Sequence, residues 1–89
     1  MKTTILNGKR MRYNKSAHDY LKRKLQFPDY YGDNLDALWD MLPTISDPIE
    51  IILLNSKSLY ENLGDYGVEL VRIFVEAMEE NENIIFTII

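Results

Sequence analysis

Along this chain, apolar residues fall into short runs and into stretches where they recur every third or fourth position. Thr3-Thr-Ile-Leu6 has strand character and is closed by the turn pair Asn7-Gly8. Asn-Gly also suits a hairpin into Met11–Tyr13, but Lys9, Arg10 and Arg12 would leave that return strand little to bury. Ser16-Ala-His-Asp19 has the form of a capping box with Asp in place of Glu. Ala17, Tyr20, Leu21 and Leu25 follow at helical spacing, which predicts a helix over about 16–26 that ends ahead of Pro28. Gly32 and Asp33 or Asn34 open a second helix, with Leu35, Leu38, Trp39 and Leu42 as its apolar residues and Pro43 as its stop. Residues 43–48 read as a loop. Ile49–Leu54 is apolar except for Glu50 and reads as a buried strand. Ser56 or Ser58 caps a short helix ending near Gly64. Asp65 or Tyr66 opens a longer helix to about Asn81, with a predicted buried stripe of Val68, Val71, Phe74, Val75 and Met78. Ile84–Ile89 closes the chain as a strand.

The predicted order is β-α-α-β-α-α-β. Strands separated by long helical crossovers pair in parallel through right-handed connections. The expected fold is therefore α/β, a three-stranded parallel sheet carrying about four helices, in a single domain over residues 1–89.

Composition narrows the chemistry. The absence of cysteine excludes disulfides, thiolate chemistry and Cys-based zinc sites. No apolar stretch near Met1 resembles a secretion signal, and the runs Ile51–Leu54 and Ile84–Phe86 are too short to span a bilayer. The expectation is a cytoplasmic protein without membrane contact. Charge is unevenly spread. Residues 1–24 hold eight basic side chains against one acid, and residues 25–89 hold two against thirteen, a split of +7 and −11. Such a split suits nucleic acid on the basic side or a basic partner on the acidic side, unless the fold brings both halves together and the charges compensate.

Three acids cluster on the second helix. Asp36 and Asp40 are four apart and share a face, and Asp33 precedes Asp36 by three. A helix N-terminus favours acids, which accounts for Asp33 and in part Asp36. It does not account for Asp40, near the C-terminal end. Departures from local stability rules mark function or simple solvation, and spacing alone leaves both open. Tyr30 and Trp39 are expected at or near the surface, Tyr31 and Leu38 in the core. No nucleophile elbow, phosphate loop or HExxH motif is present, so no catalytic residue, metal or cofactor is expected. His18, the one histidine, is expected at the surface or rim. Glu76 is expected to pair with Arg72, one turn earlier. Residues 9–24 are basic but are not interleaved with several exposed aromatics and carry no recognised nucleic-acid motif, which leaves a nucleic-acid-binding domain as the lesser alternative.

The run Pro28-Asp-Tyr30-Tyr31-Gly32-Asp-Asn34-Leu35-Asp36-Ala37-Leu38-Trp39-Asp40 resembles the signature of the barstar family, intracellular inhibitors of small bacterial ribonucleases. Ile5-Leu-Asn-Gly8, Phe74-Val-Glu76-Ala77 and the closing strand are similar to other parts of the family pattern, while residues 43–65 match weakly. The resemblance implies the same three-stranded parallel fold. It also implies a partner-binding surface of Tyr30, Asn34, Leu35, Asp36, Trp39, Asp40 and Glu76. Asp36 and Asp40 would meet the basic catalytic groups of an extracellular-type, barnase-like ribonuclease in a 1:1 complex of a monomer. Another basic protein is the alternative partner. Where the family's best-known member has a Gly-Trp pair after the acidic helix, this chain has Leu42-Pro43-Thr44-Ile45, and Met41 stands at one family cysteine position.

Overall fold

The computed structural model describes all 89 residues, Met1–Ile89. Strand β1 (Lys2–Asn7) leads through a 3₁₀ turn at Gly8–Arg10 to helix α1 (Asn14–Leu25). Helix α2 (Leu35–Met41) runs into a second 3₁₀ turn, Leu42–Thr44. Strand β2 (Ile49–Leu54), helices α3 (Ser56–Leu63) and α4 (Asp65–Glu80) and strand β3 (Ile84–Ile88) complete the chain. The sheet order is β1-β2-β3 and both pairings are parallel, with Thr4 opposite Ile51 and Ile51 opposite Phe86.

The turn after β1 is a 3₁₀ turn and not a hairpin. The Asn7 side chain accepts the Lys9 N–H at 3.0 Å and the Asn55 amide at 2.8 Å, which ties β1 to the end of β2. Gly8 is needed there because a Cβ would stand 2.2 Å from the Asn55 carbonyl oxygen.

Ser16 does not cap α1 as expected; it lies in the helix's first turn. Its hydroxyl accepts the Tyr13 N–H at 3.1 Å and donates to the Tyr13 carbonyl at 3.0 Å, so the chain enters the helix two residues early. Asp19 instead pairs with Lys15 one turn before it, at 2.6 Å. Helix α2 ends at Met41, ahead of Pro43 as expected, and the chain goes on as a 3₁₀ turn that includes the proline. Pro43 sits in the first turn of the 3₁₀ segment, where a backbone N–H is dispensable.

Twenty buried apolar side chains form one cluster. The strands supply alternate residues to it: Leu6 from β1, Ile49, Ile51 and Leu53 from β2, and Ile84 and Phe86 from β3. The helices therefore cover one face of the sheet. Ile52 and Leu54 are only half-buried and Ile5 and Ile85 are exposed, so β2 is not buried on both sides as its composition suggested. The α4 stripe is Gly67, Leu70, Val71, Phe74 and Ala77, with Val75 and Met78 half-buried. Val68 is exposed, because it lies about 100° around the helix from Gly67, off that stripe.

Candidate functional site

Helix α2 is short and its start is built by side chains. Asn34 takes extended backbone angles and its Oδ1 accepts the Ala37 N–H at 2.7 Å. Before it, Asp33 has φ +56°, an unusual choice for a residue with a side chain. Gly32 leaves room against the helix, since a Cβ there would lie 3.2 Å from the Ala37 Cβ. Leu38 and Leu42 point into the core, with Leu35 half-buried beside them.

This anchoring fixes what faces out. Asp36 and Asp40 are both exposed, one turn apart on the side opposite Leu38. Neither takes part in an ion pair within the chain. Trp39 is 38% exposed on one flank of these acids. On the other flank, beside Ala37, lies the turn carrying Tyr30, which is 81% exposed. Of the sequence-predicted residues, Tyr30, Asn34, Asp36, Trp39 and Asp40 are exposed and Leu35 is half-buried, although the Asn34 side chain is engaged as a cap. Tyr31 and Leu38 are buried, as expected.

Glu76 stands apart on α4, the helix against which α2 packs. By helical spacing it shares a flank with Tyr66, Glu69 and Ile73. It does not pair with Arg72. That guanidinium reaches back to Glu69 at 3.1 Å and leaves Glu76 exposed and free.

Nor do the two charged halves neutralise each other at α2. Lys15 reaches Asp33 and Lys22 reaches Asp29, both at 3.7 Å, and neither bridge touches Asp36 or Asp40. The basic segment forms its own surface, where Arg10 and Arg23 lie 5.8 and 5.6 Å from the centre of the Tyr20 ring.

His18 is the largest correction. It is fully buried, with Nδ1 2.8 Å from the Tyr31 hydroxyl and Nε2 2.6 Å from the Tyr66 hydroxyl. A lone histidine on a helix gives no spacing signal, and the tyrosines that satisfy it lie 13 and 48 residues away. Sequence reasoning also missed Asn81. Its amide donates to the Leu42 and Ile45 carbonyls at 3.2 and 3.0 Å and pins the turn after α2.

No three acidic or imidazole side chains are arranged to hold a metal ion. Two depressions mark the surface. One, of about 300 Å³, lies between the end of α1 and residues 44–49, with Phe27, Met41 and Ile45 in its wall. The other, of about 480 Å³, is lined by Lys9, Arg12, Ser58, Glu61 and Asn62. Neither includes Tyr30, Asp36, Trp39 or Asp40, so the acidic helix is presented on open surface rather than at the bottom of a cleft.

The three-stranded parallel fold agrees with the comparison with known families. The family described as Barstar (barnase inhibitor) matches residues 1–89. The chain belongs to the barstar family. A Bacillus subtilis (strain 168) protein named "Putative ribonuclease inhibitor YrdF" is 42% identical over 81 residues, spanning 90% of this chain and 89% of that protein. Barstar membership makes the chain an inhibitor and not an enzyme. No helix of this barstar-family chain is long and apolar enough to cross a membrane.

Proposed function

We propose that this chain inhibits a small basic ribonuclease of the barnase-like kind by laying α2 and Tyr30 across its active site. The observation that carries the reading is the pair Asp36 and Asp40, two exposed carboxylates one turn apart with no cation of their own chain. A ribonuclease holds the phosphates of RNA with cationic side chains. Two carboxylates fixed on a helix offer those cations the same oxygen acceptors, with charge-assisted hydrogen bonds. Tyr30 and Trp39 supply apolar area with polar tips on either side. Asn34 and Leu35 complete the helix surface and Glu76 adds an ion pair at the edge. On this reading the chain acts in the cytoplasm as a monomer in a 1:1 complex. The name of the Bacillus subtilis relative points the same way.

The unpaired acids also steer encounter. Their field should speed association, and salt should slow it, since the screening length falls from roughly 30 Å at 0.01 M to about 10 Å at 0.1 M. The test is binding and RNA cleavage with a panel of small basic ribonucleases. Asp40→Ala is expected to weaken binding by about 2–5 kcal/mol while leaving the fold intact, a range to which inhibitors of this family themselves contribute measurements. A dissociation constant unchanged within about threefold would remove Asp40 from the interface.

A further inference from the structure

Behind the binding edge lies a buried polar group that the proposed interface does not touch. The His18 imidazole joins three segments: α1, which carries it, the turn carrying Tyr31, and α4 through Tyr66. Tyr31 is held further by its ring contact with Phe27, 4.8 Å between centres, and by its N–H, which donates to the Pro28 carbonyl at 3.0 Å. Tyr30 precedes Tyr31 directly. Asp33, with its left-handed backbone, and the capping Asn34 follow within three residues. The placement of the Tyr31 ring therefore sets both where Tyr30 projects and where α2 begins.

We propose that His18 is a positioning residue for the partner-binding surface: its hydrogen bonds to Tyr31 and Tyr66 hold the Tyr30–Asn34 turn and the start of α2 in the geometry that meets the ribonuclease. The inference rests on the function proposed above.

A neutral imidazole has one N–H and one bare nitrogen, so it donates to one tyrosine and accepts from the other. An imidazolium has two N–H groups and no acceptor. The tyrosine that had donated must then send its hydroxyl proton elsewhere. The groups facing the ring are Tyr31 and Asp33 from the turn, Tyr66 from α4, and Lys15 and Asp19 from α1. Burial lowers the His18 pKa, and the nearby Asp33 and Asp19 carboxylates only partly oppose it. Asp33 has a second role. Its Oδ1 is buried without a hydrogen-bond partner, and its charge, after burial, helps push the Tyr31 phenol well above its usual range. In the tautomer in which Tyr31 donates to His18, Asp33, close enough for its charge to act on that phenol, is the acceptor to which the Tyr31 hydroxyl can turn once His18 takes a proton. That movement would redraw the turn.

The direction of the pH effect follows. Because the folded protein holds the His18 pKa below its ordinary value of 6.5, the neutral ring's contribution is complete above that pH. It is lost as pH falls through the lower, folded value.

The test compares the full chain with His18→Gln, since glutamine offers one acceptor and one donor and does not titrate. Each is titrated against a barnase-type ribonuclease near pH 7.5 and near pH 5.5. The variant is expected to bind within about threefold of wild type at the higher pH, and wild type to lose about two- to fivefold more affinity than the variant at the lower one, because a ring that titrates below 6.5 is only partly protonated there. Taking the difference between the two chains removes titration of the enzyme's own groups. Parallel profiles would overturn the inference. Asp40→Ala separates the two ideas: insensitivity there strikes the binding mode, whereas parallel profiles beside a sensitive Asp40 strike His18 alone. Should His18→Gln not fold, or no enzyme bind, NMR titration of the free chain decides. The His18 ring and the Tyr30–Asn34 amides are expected to shift with one midpoint below the unperturbed histidine value, and amides that stay still would refute the coupling.

Discussion

Tyr30 and Tyr31 are neighbours in the chain and belong to opposite kinds of surface. Tyr30 is 81% exposed, while Tyr31 is 4% exposed and bonded to a buried histidine. The same division separates the two polar assemblies around α2. Asp36 and Asp40 point outward and take part in no ion pair within the chain, which on the proposed reading leaves them for the ribonuclease. His18, Tyr31 and Tyr66 point inward and satisfy one another. A surface that grips a partner has to keep its polar groups free, whereas the support beneath it has to use its own up. An unpaired group in the support would cost stability, and a paired group on the surface would cost affinity.

That contrast can be broken by substitution. The largest separation is expected along α2 itself. Leu38→Ala should cost about 2–5 kcal/mol in chemical denaturation, because Leu38 is fully buried. Trp39→Ala, one residue on and partly exposed, should cost at most about 1 kcal/mol of stability but weaken ribonuclease binding. Similar stability losses at the two positions would mean that α2 does not present the face described. Next come the tyrosines. Tyr31→Phe removes one of the two bonds to the buried imidazole and should cost roughly 1–3 kcal/mol. Tyr30→Phe should change stability by no more than about 0.5 kcal/mol. Equal losses would erase the distinction between grip and support. A modest effect is expected at the joint between them. Asn34→Ala removes the cap of α2 and should cost about 1 kcal/mol, seen in the same denaturation experiment. No change there would show that the helix start is held from the His18 side alone.

Most of the fold was legible because the signals that make it are local. Runs of Ile, Leu and Phe marked β2 and β3, and the three-and-four spacing of Leu35, Leu38 and Leu42 marked α2. The acidic stretch was legible for the same reason, since Asp36 and Asp40 are one helical turn apart whatever surrounds them. What escaped depends on distant parts of the chain. The burial of His18 is decided by Tyr31 and Tyr66, which approach it only in the folded chain. Val68 looked buried because it is apolar, but the glycine before it sets the packing phase, through the close approach of α4 to Leu59 on α3. Arg72 had acids both three residues before and four residues after it, and spacing alone did not show that it turns to Glu69. The open face of the sheet was hidden as well, because an apolar strand reads alike whether one or both of its sides are covered.

The strand order has a consequence for how the molecule comes into being. Every ladder in the sheet joins distant sequence: Lys2 faces Ile49, and Ile49 faces Ile84. A ribosome delivers the acidic helix in the first half of the chain, yet α4, on which that helix rests, arrives only with residues 65–80, and the last edge of the sheet only with residue 88. Long-range pairing of this kind folds slowly. If Asp36 and Asp40 are the binding groups, a chain lacking residues 65–88 is expected not to inhibit. Until its last strand is made, its two carboxylates ride on a helix of seven residues, too short to persist in water without the rest of the protein beneath it.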